Sequence, residues 1–377
     1  MSRYFLTGGT GTVGSCILEH LLAQPHSHVY LLVRANSNER AEERKFRLLQ
    51  TIMGADGAKY ADRVTAIRGD TKLSLFGMPQ DQYQRLADAC THVIHSAGLV
   101  RMNLPLKEAR DSAVDAAENV ITLARTLQQS GQLQKVEFVS TVGVGGHSTE
   151  VTEDWIETPR GFHNTYEQAK AEAEVPVRAA VGEGLPITVH RPSMVVGDSV
   201  TGRIISFQVF YHLCEFLTGS RSRGLFPPFG GTKLDTIPVD YVAKAMLRSS
   251  GQKQTIGKVL HLCSGPRHAI PIGDLQRQVI AMFRAKGVTM PQPRIIPRVL
   301  FRAMLMPLGM LAPKNIRRAI KTVPIFLDYL ASEQVFHNES TQKLLDPAGI
   351  AVPPTSAYLH KVVSYYLARR GRKEQRA

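Results

Sequence analysis

Thr7-Gly8-Gly9-Thr10-Gly11-Thr12-Val13-Gly14 is the segment that most restricts what this chain can fold into. It follows a short strand-like run, residues 4–7, and opens a helical pattern over 13–24. Gly8 permits a tight turn, Gly11 lets the backbone approach a pyrophosphate, and Gly14 lets the helix pack closely on the strand. The free N–H groups at the helix start then face the phosphates with their partial positive charge. A glycine pattern alone is a weak signal. Between a strand and a helix it predicts a dinucleotide site formed by Thr7, Gly8, Gly11, Thr12, Val13 and Gly14.

The first half repeats this alternation. Strand candidates at 29–33, 64–68, 92–95, 136–140 and 187–190 are separated by helical patterns at 40–53, 113–129 and 165–181. Such order predicts parallel β-α-β units in a Rossmann-type, doubly wound α/β sheet. At 377 residues with 43% apolar content, the chain can bury one large core and a smaller appended part. After Pro192 the character changes: residues 202–228 mix helical signals with a Gly/Pro-rich stretch, and 240–249 and 259–263 read as one more helix and strand. From 270 the pattern is mostly helical, broken by Pro291, Pro293, Pro297, Pro307, Pro313 and Pro324. The expected division is a nucleotide-binding domain over 1–265, with a substrate-region insertion near 198–235, and a helical substrate-binding cap over 266–377.

The end of the second strand separates NAD from NADP. An acidic residue there suits the ribose hydroxyls, whereas this chain has Leu32-Val33-Arg34. A fixed positive fork matches a 2′-phosphate, so NADPH is the expected cofactor, with Arg44 closing over the same group. Asp70 ends the third strand, where it would accept a hydrogen bond from the adenine amino group. Ser96, Ala97 and Gly98 follow the fourth, where small residues let the backbone pass beneath the cofactor.

Chemistry is expected after the fifth strand, in Val139-Ser140-Thr141-Val142-Gly143. Twenty-five residues beyond Thr141, Tyr166-Glu167-Gln168-Ala169-Lys170 opens a helix, and the i to i+4 spacing puts Tyr166 and Lys170 on one face. The ammonium is expected to lower the phenol's pKa toward working pH, so that Tyr166 donates a proton to an oxygen gaining negative charge. Thr141 would hydrogen-bond that same oxygen, with Ser140 the neighbouring alternative, and Lys170 could also hold the nicotinamide ribose.

Taken in this order, the glycine turn, S-T at a strand end and Y-x-x-x-K resemble the extended short-chain dehydrogenase/reductase superfamily over residues 3–265. Asn119, His190-Arg191-Pro192-Ser193 and Val239-Asp240-Tyr241-Val242-Ala243 extend the match. The resemblance implies Thr141, Tyr166 and Lys170 as the catalytic set, and adds Pro192 and Ser193 to the cofactor site. The opening T-G-G-T-G-T-V-G, the L-V-R-A with Arg44, the H-S-A-G-x-V stretch from His95 and threonine in V-S-T resemble the thioester reductase and fatty acyl-CoA reductase branch. Phe336-His337-Asn338, Leu344-Leu345 and Gly349-Ile350 are similar to the tail of bacterial acyl reductases. That branch commonly carries a second alanine where this chain has Gly98. Its implied reaction is reduction of an acyl thioester of coenzyme A or of an acyl carrier to aldehyde, and onward to alcohol if a second hydride follows. Residues 207–217 and 299–311 would line the acyl channel.

A formal charge of +14 calls for an anionic partner. With 7% aromatic residues and no nucleic-acid-binding motif, nucleic acid is not expected. Coenzyme A, an acidic carrier or an anionic membrane surface fits the cations Arg294, Arg298, Arg302, Lys314, Arg317, Arg318 and Lys321 and the tail 369–376. The four scattered cysteines show no metal spacing and fit a reducing compartment, so no metal is expected. No apolar run approaches spanning length, and the N-terminus enters a strand without room for a leader, so the expected location is the cytosol. Two other readings stay open: an NADP-dependent ketone or alcohol oxidoreductase with the same residues, and an NADP-sensing regulator without turnover.

Overall fold

The computed structural model describes residues 2–220, 222–301, 303 and 333–374, with side chains up to 370. Seven parallel strands form the central sheet: β1 (Ser2–Thr7), β2 (Ser27–Val33), β3 (Val64–Arg68), β4 (His92–His95), β5 (Lys135–Val139), β6 (Ile187–Pro192) and β7 (Val259–Leu262). Their spatial order is β7-β6-β5-β4-β1-β2-β3. The order reverses between β1 and β4, which opens a crevice at the carboxyl ends of these strands where nucleotides bind in such sheets. Every residue of β4, β5 and β6 is buried, as parallel strands covered on both faces require.

Helices cover both faces. On one side lie α1 (Thr12–Ala23), α2 (Asn38–Met53) and α7 (Val239–Ser250), packing Ile17, Leu21, Leu49, Val242 and Met246 against Leu6 and Leu31. On the other lie α3 (Gln80–Ala89), α4 (Leu106–Gln129) and α5 (Thr165–Gly182), with Leu86, Val120, Leu127 and Val177 against Phe5, Val93 and Phe138. The doubly wound architecture read from the sequence is the one observed.

A second, smaller core joins α6 (Val209–Leu217) to α8 (Ile272–Ala285) and α10 (Thr355–Glu374), through Phe210, Leu213, Leu275, Phe283, Tyr358 and Val362. The C-terminal region divides between the two cores. Residues 335–336 pair in parallel with Glu150–Val151, and Leu345 of α9 (Glu339–Leu345) packs into the α1/α2/α7 layer. Of the region expected to be mostly helical, 286–300 is largely irregular, with a short strand at Arg294–Ile295. Arg302, Pro307, Pro313, Lys314, Arg317, Arg318, Lys321 and Pro324 lie outside the described residues, as do 304–311 of the expected acyl channel. No described helix is long and apolar enough to cross a membrane.

Candidate active site

The glycine turn sits at the switch point. Gly8 has φ +73°, and a Cβ there would stand 2.5 Å from the backbone nitrogen of Ala97 and the carbonyl carbon of Ser96. Gly14 faces the same junction: a Cβ would collide with the Gly8 carbonyl and lie 2.6 Å from Ser96 Oγ. Ser96 Oγ donates to the Thr7 carbonyl at 2.8 Å, and the Ala97 N–H donates to Thr7 Oγ1 at 3.3 Å. These bonds lock the ends of β1 and β4 together. Gly8→Ala combines a disfavoured φ with backbone overlap, so we expect a loss of about 2–5 kcal/mol in chemical denaturation. A loss below about 1 kcal/mol would show that the turn relaxes freely.

Gly11 caps α1 without a side-chain hydrogen bond, so the first N–H groups of the helix remain available for an anion. A tight glycine cradle beneath an uncapped helix start fits a nucleotide pyrophosphate. At the far end, Arg34 is exposed just beyond β2, and the Arg44 guanidinium donates to the Arg34 carbonyl. Among the described residues neither side chain pairs with a carboxylate. Asp70 lies past β3 in a turn, with Oδ1 accepting from the Lys72 N–H at 3.2 Å. The loop beside it is tied to α4, where Asn119 Nδ2 donates to the Thr71 carbonyl at 2.9 Å.

At the other end, a cleft of about 260 Å³ brings Gly11, Thr12, Val13, Ser96, Ala97, Gly98, Ser140, Thr141, Tyr166, Lys170, Pro192 and Ser193 to one surface. Thr7, Gly8 and Gly14 lie beneath it, shaping the turn. The start of α5 is fixed by a reciprocal cap: Asn164 accepts from the Glu167 N–H, and the Glu167 carboxylate accepts from the His163 N–H, each at 3.0 Å. This cap sets where Tyr166 leaves the helix. Thr141 accepts from the Gly143 N–H at 3.2 Å and hydrogen-bonds the Tyr166 phenol. Ser140 Oγ is buried with no partner among the described residues.

Tyr166 departs from expectation. Burial pushes its pKa up to about 12, outweighing the Thr141 hydrogen bond, which acts in the opposite direction. Lys170 is buried, which lowers it to about 8, with Glu174 pulling the other way. Its ammonium donates to the Val139 carbonyl at 2.8 Å and stands 5.5 Å from the Phe138 ring centroid. The expected lowering of the phenol is therefore overturned: withdrawal from water favours the neutral form of both groups. A phenol so held favours its protonated form.

Beyond Thr141, Tyr166 and Lys170 the cleft wall is largely apolar, with Val100, Met102, Met194, Phe210, Leu213 and Leu234. The α6 part of the expected channel lines it. Val299 and Leu300 do not; they are exposed on the surface. At Gly98 a Cβ would meet Lys170 at 3.7 Å, an ordinary contact, so the site accommodates alanine or glycine there. Gln208, within the expected channel segment, and Phe336, in the tail resemblance, also line the cleft; sequence reasoning missed Asp235 and Gln334, which carry no motif of their own. Buried Asp235 is raised to about 6 by desolvation and accepts from the N–H groups of Ser264 at 2.7 Å and Gly265 at 2.9 Å.

Residues 6–246 match the family model described as male sterility protein, an NAD-binding family. A nonribosomal peptide synthetase of Aspergillus flavus is 30% identical over 275 residues, 69% of this chain and 26% of that protein. The L-2-aminoadipate reductase of Saccharomyces cerevisiae is 29% identical over 265 residues, 65% of this chain and 18% of that one. The chain thus spans under a third of the length of these curated relatives. Among solved structures, the terminal R domain from the myxalamid PKS-NRPS biosynthetic pathway superposes with TM-score 0.80 at 27% identity, covering 98% of this chain and 91% of that one. A thiolation-reductase di-domain from an archaeal non-ribosomal peptide synthetase shares the fold, with TM-score 0.75 at 22% identity and coverage of 98% and 76%.

Proposed function

This chain belongs to the male sterility protein family, within the extended short-chain dehydrogenase/reductase superfamily, and from that premise we propose that it reduces an acyl thioester to an aldehyde with NADPH. The observation that carries the reading is the meeting of Thr141, Tyr166 and Lys170 in one cleft bordered by the glycine turn. NADPH, when bound, supplies hydride to the thioester carbonyl carbon. Gly11, Thr12 and Val13 would hold its pyrophosphate, Ser96 to Gly98 with Pro192 and Ser193 would flank the nicotinamide end, and Asp70 would take the adenine. Thr141 hydrogen-bonds the carbonyl oxygen as charge grows on it, and Tyr166 gives that oxygen its proton. Lys170, next to the phenol on the helix face, supplies positive charge to the phenolate left behind. Return of the proton to Tyr166 lets the carbonyl re-form and the sulfur depart as thiolate, which takes its proton from water. The apolar wall of Met194, Phe210 and Leu213 suits an acyl chain, carried by coenzyme A or a phosphopantetheinyl carrier. The basic surface would favour either.

The test is consumption of NADPH by purified protein with acyl-coenzyme A, acyl-carrier, aldehyde and ketone substrates. Thiol release equal to the first NADPH consumed is the expected result, and turnover of ketones without thioesters would overturn the reading. Oxidation of a second NADPH per thioester would show that alcohol is the product.

Cofactor choice has its own check. Arg34→Ala removes a charge-assisted contact and should raise KM for NADPH roughly 10–100-fold while leaving KM for NADH near its original value. Equal losses for the two cofactors would rule out a 2′-phosphate contact.

A further inference from the structure

Residues 333–338 cross between the two cores and complete the cleft. The Glu333 carboxylate accepts from the Gly231 N–H at 3.0 Å on the substrate side. On the sheet side, the Val335 N–H donates to the Thr149 carbonyl at 2.8 Å and the His337 N–H to the Val151 carbonyl at 3.0 Å. Asn338 Nδ2 donates to the Cys263 carbonyl at 2.7 Å. Between these anchors, Gln334 and Phe336 face the cleft.

Gln334 Nε2 donates to two backbone carbonyls, Gly146 at 2.6 Å and Ser148 at 2.8 Å. Two acceptors fix which end of the amide is nitrogen, because an oxygen there would face two carbonyl oxygens. Both N–H bonds are then used, and the only group Gln334 has left is Oε1, an acceptor that cannot donate. Among the described residues Oε1 has no partner, and it stands on a largely apolar wall. A fixed acceptor in such surroundings discriminates for a ligand N–H, since a ligand without one leaves the oxygen desolvated and unpaired.

We propose that Gln334 is a specificity-determining residue that accepts a hydrogen bond from an amide N–H of the thiol arm of the thioester substrate. This inference rests on the thioester-reductase reading above. It commits to the amide of a pantetheine-like arm, the class shared by coenzyme A and carrier-bound thiols.

The experiment compares two small thioesters with the same acyl group. One is the N-acetylcysteamine thioester; the other is its ester isostere, in which oxygen replaces the N–H. The wild-type protein should show kcat/KM about tenfold higher for the amide, the worth of one such hydrogen bond. Gln334→Met should remove that preference, chiefly through KM for the amide substrate. A merely structural role for Gln334 would lower both substrates alike and keep their ratio, and that result overturns the proposal. So does a wild-type ratio near one. Because Gln334→Met could loosen the 146–148 loop, Phe336→Leu serves as a second variant on the same strap: it should alter both substrates equally and preserve the amide preference, and loss of the preference there would equally refute it. If neither thioester is turned over with NADPH, the thioester-reductase reading itself fails, an outcome distinct from turnover without preference.

Discussion

Tyr166→Phe is expected to lower kcat for thioester reduction about 10²–10⁴-fold with nucleotide affinity unchanged. The substitution removes one oxygen from a half-buried ring beside Thr141 and leaves the packing of α5 in place. Desolvation that raises the phenol to about 12 favours its protonated form, which suits the proton-donor role proposed for it. Single-turnover kinetics with NADPH in excess, alongside nucleotide titration, separate the two effects. Full-rate turnover in the variant would mean that Thr141 and solvent suffice and that Tyr166 is not the acid.

Arg191→Met is expected to cost about 3–5 kcal/mol of stability, the usual consequence of removing one partner of a buried ion pair. Arg191 is fully buried in β6 and grips Glu174 through both arms of its guanidinium, at 2.9 and 2.6 Å. Its third nitrogen donates to the Asp154 carbonyl at 3.0 Å. It also meets His261 Nε2 at 3.3 Å. Burial lowers His261 to about 3, so the ring is neutral, and its Nδ1–H donates to the His337 carbonyl at 2.7 Å. One tautomer therefore satisfies both neighbours. Without Arg191, the Glu174 carboxyl loses its partner in the interior, one turn from Lys170 on the same helix. The double variant Arg191→Met, Glu174→Leu removes both charges and should recover most of the loss. Urea denaturation of the single and double variants decides the matter: if the single change costs under about 1 kcal/mol, or the second adds a further full penalty, the pair is not what holds α5 to β6.

Much of the architecture was legible because its signals are local. Strands 64–68 and 92–95 have the bounds read from the sequence, since short runs carrying Val, Thr and Ile favour the extended chain between helical segments. The glycine turn was legible for a similar reason: only glycine fits against the Ser96 and Ala97 backbone. Helix α3 was not read, because only Tyr83, Leu86 and Ala87 of its ten residues are buried, too few to raise a period above its polar surroundings.

The sequence by itself determined the doubly wound fold and the glycine turn, and it singled out Thr141, Tyr166 and Lys170, which the fold brings to one cleft, because strand, turn and helix signals are local. Tertiary structure alone decided the protonation of Tyr166 and the far wall of the cleft. Spacing on a helix gives proximity to Lys170, but proton affinity depends on how much water reaches both groups, which the whole fold controls. Gln334 reaches the cleft from nearly 170 residues beyond Tyr166, and no local pattern encodes a contact made only when the chain returns.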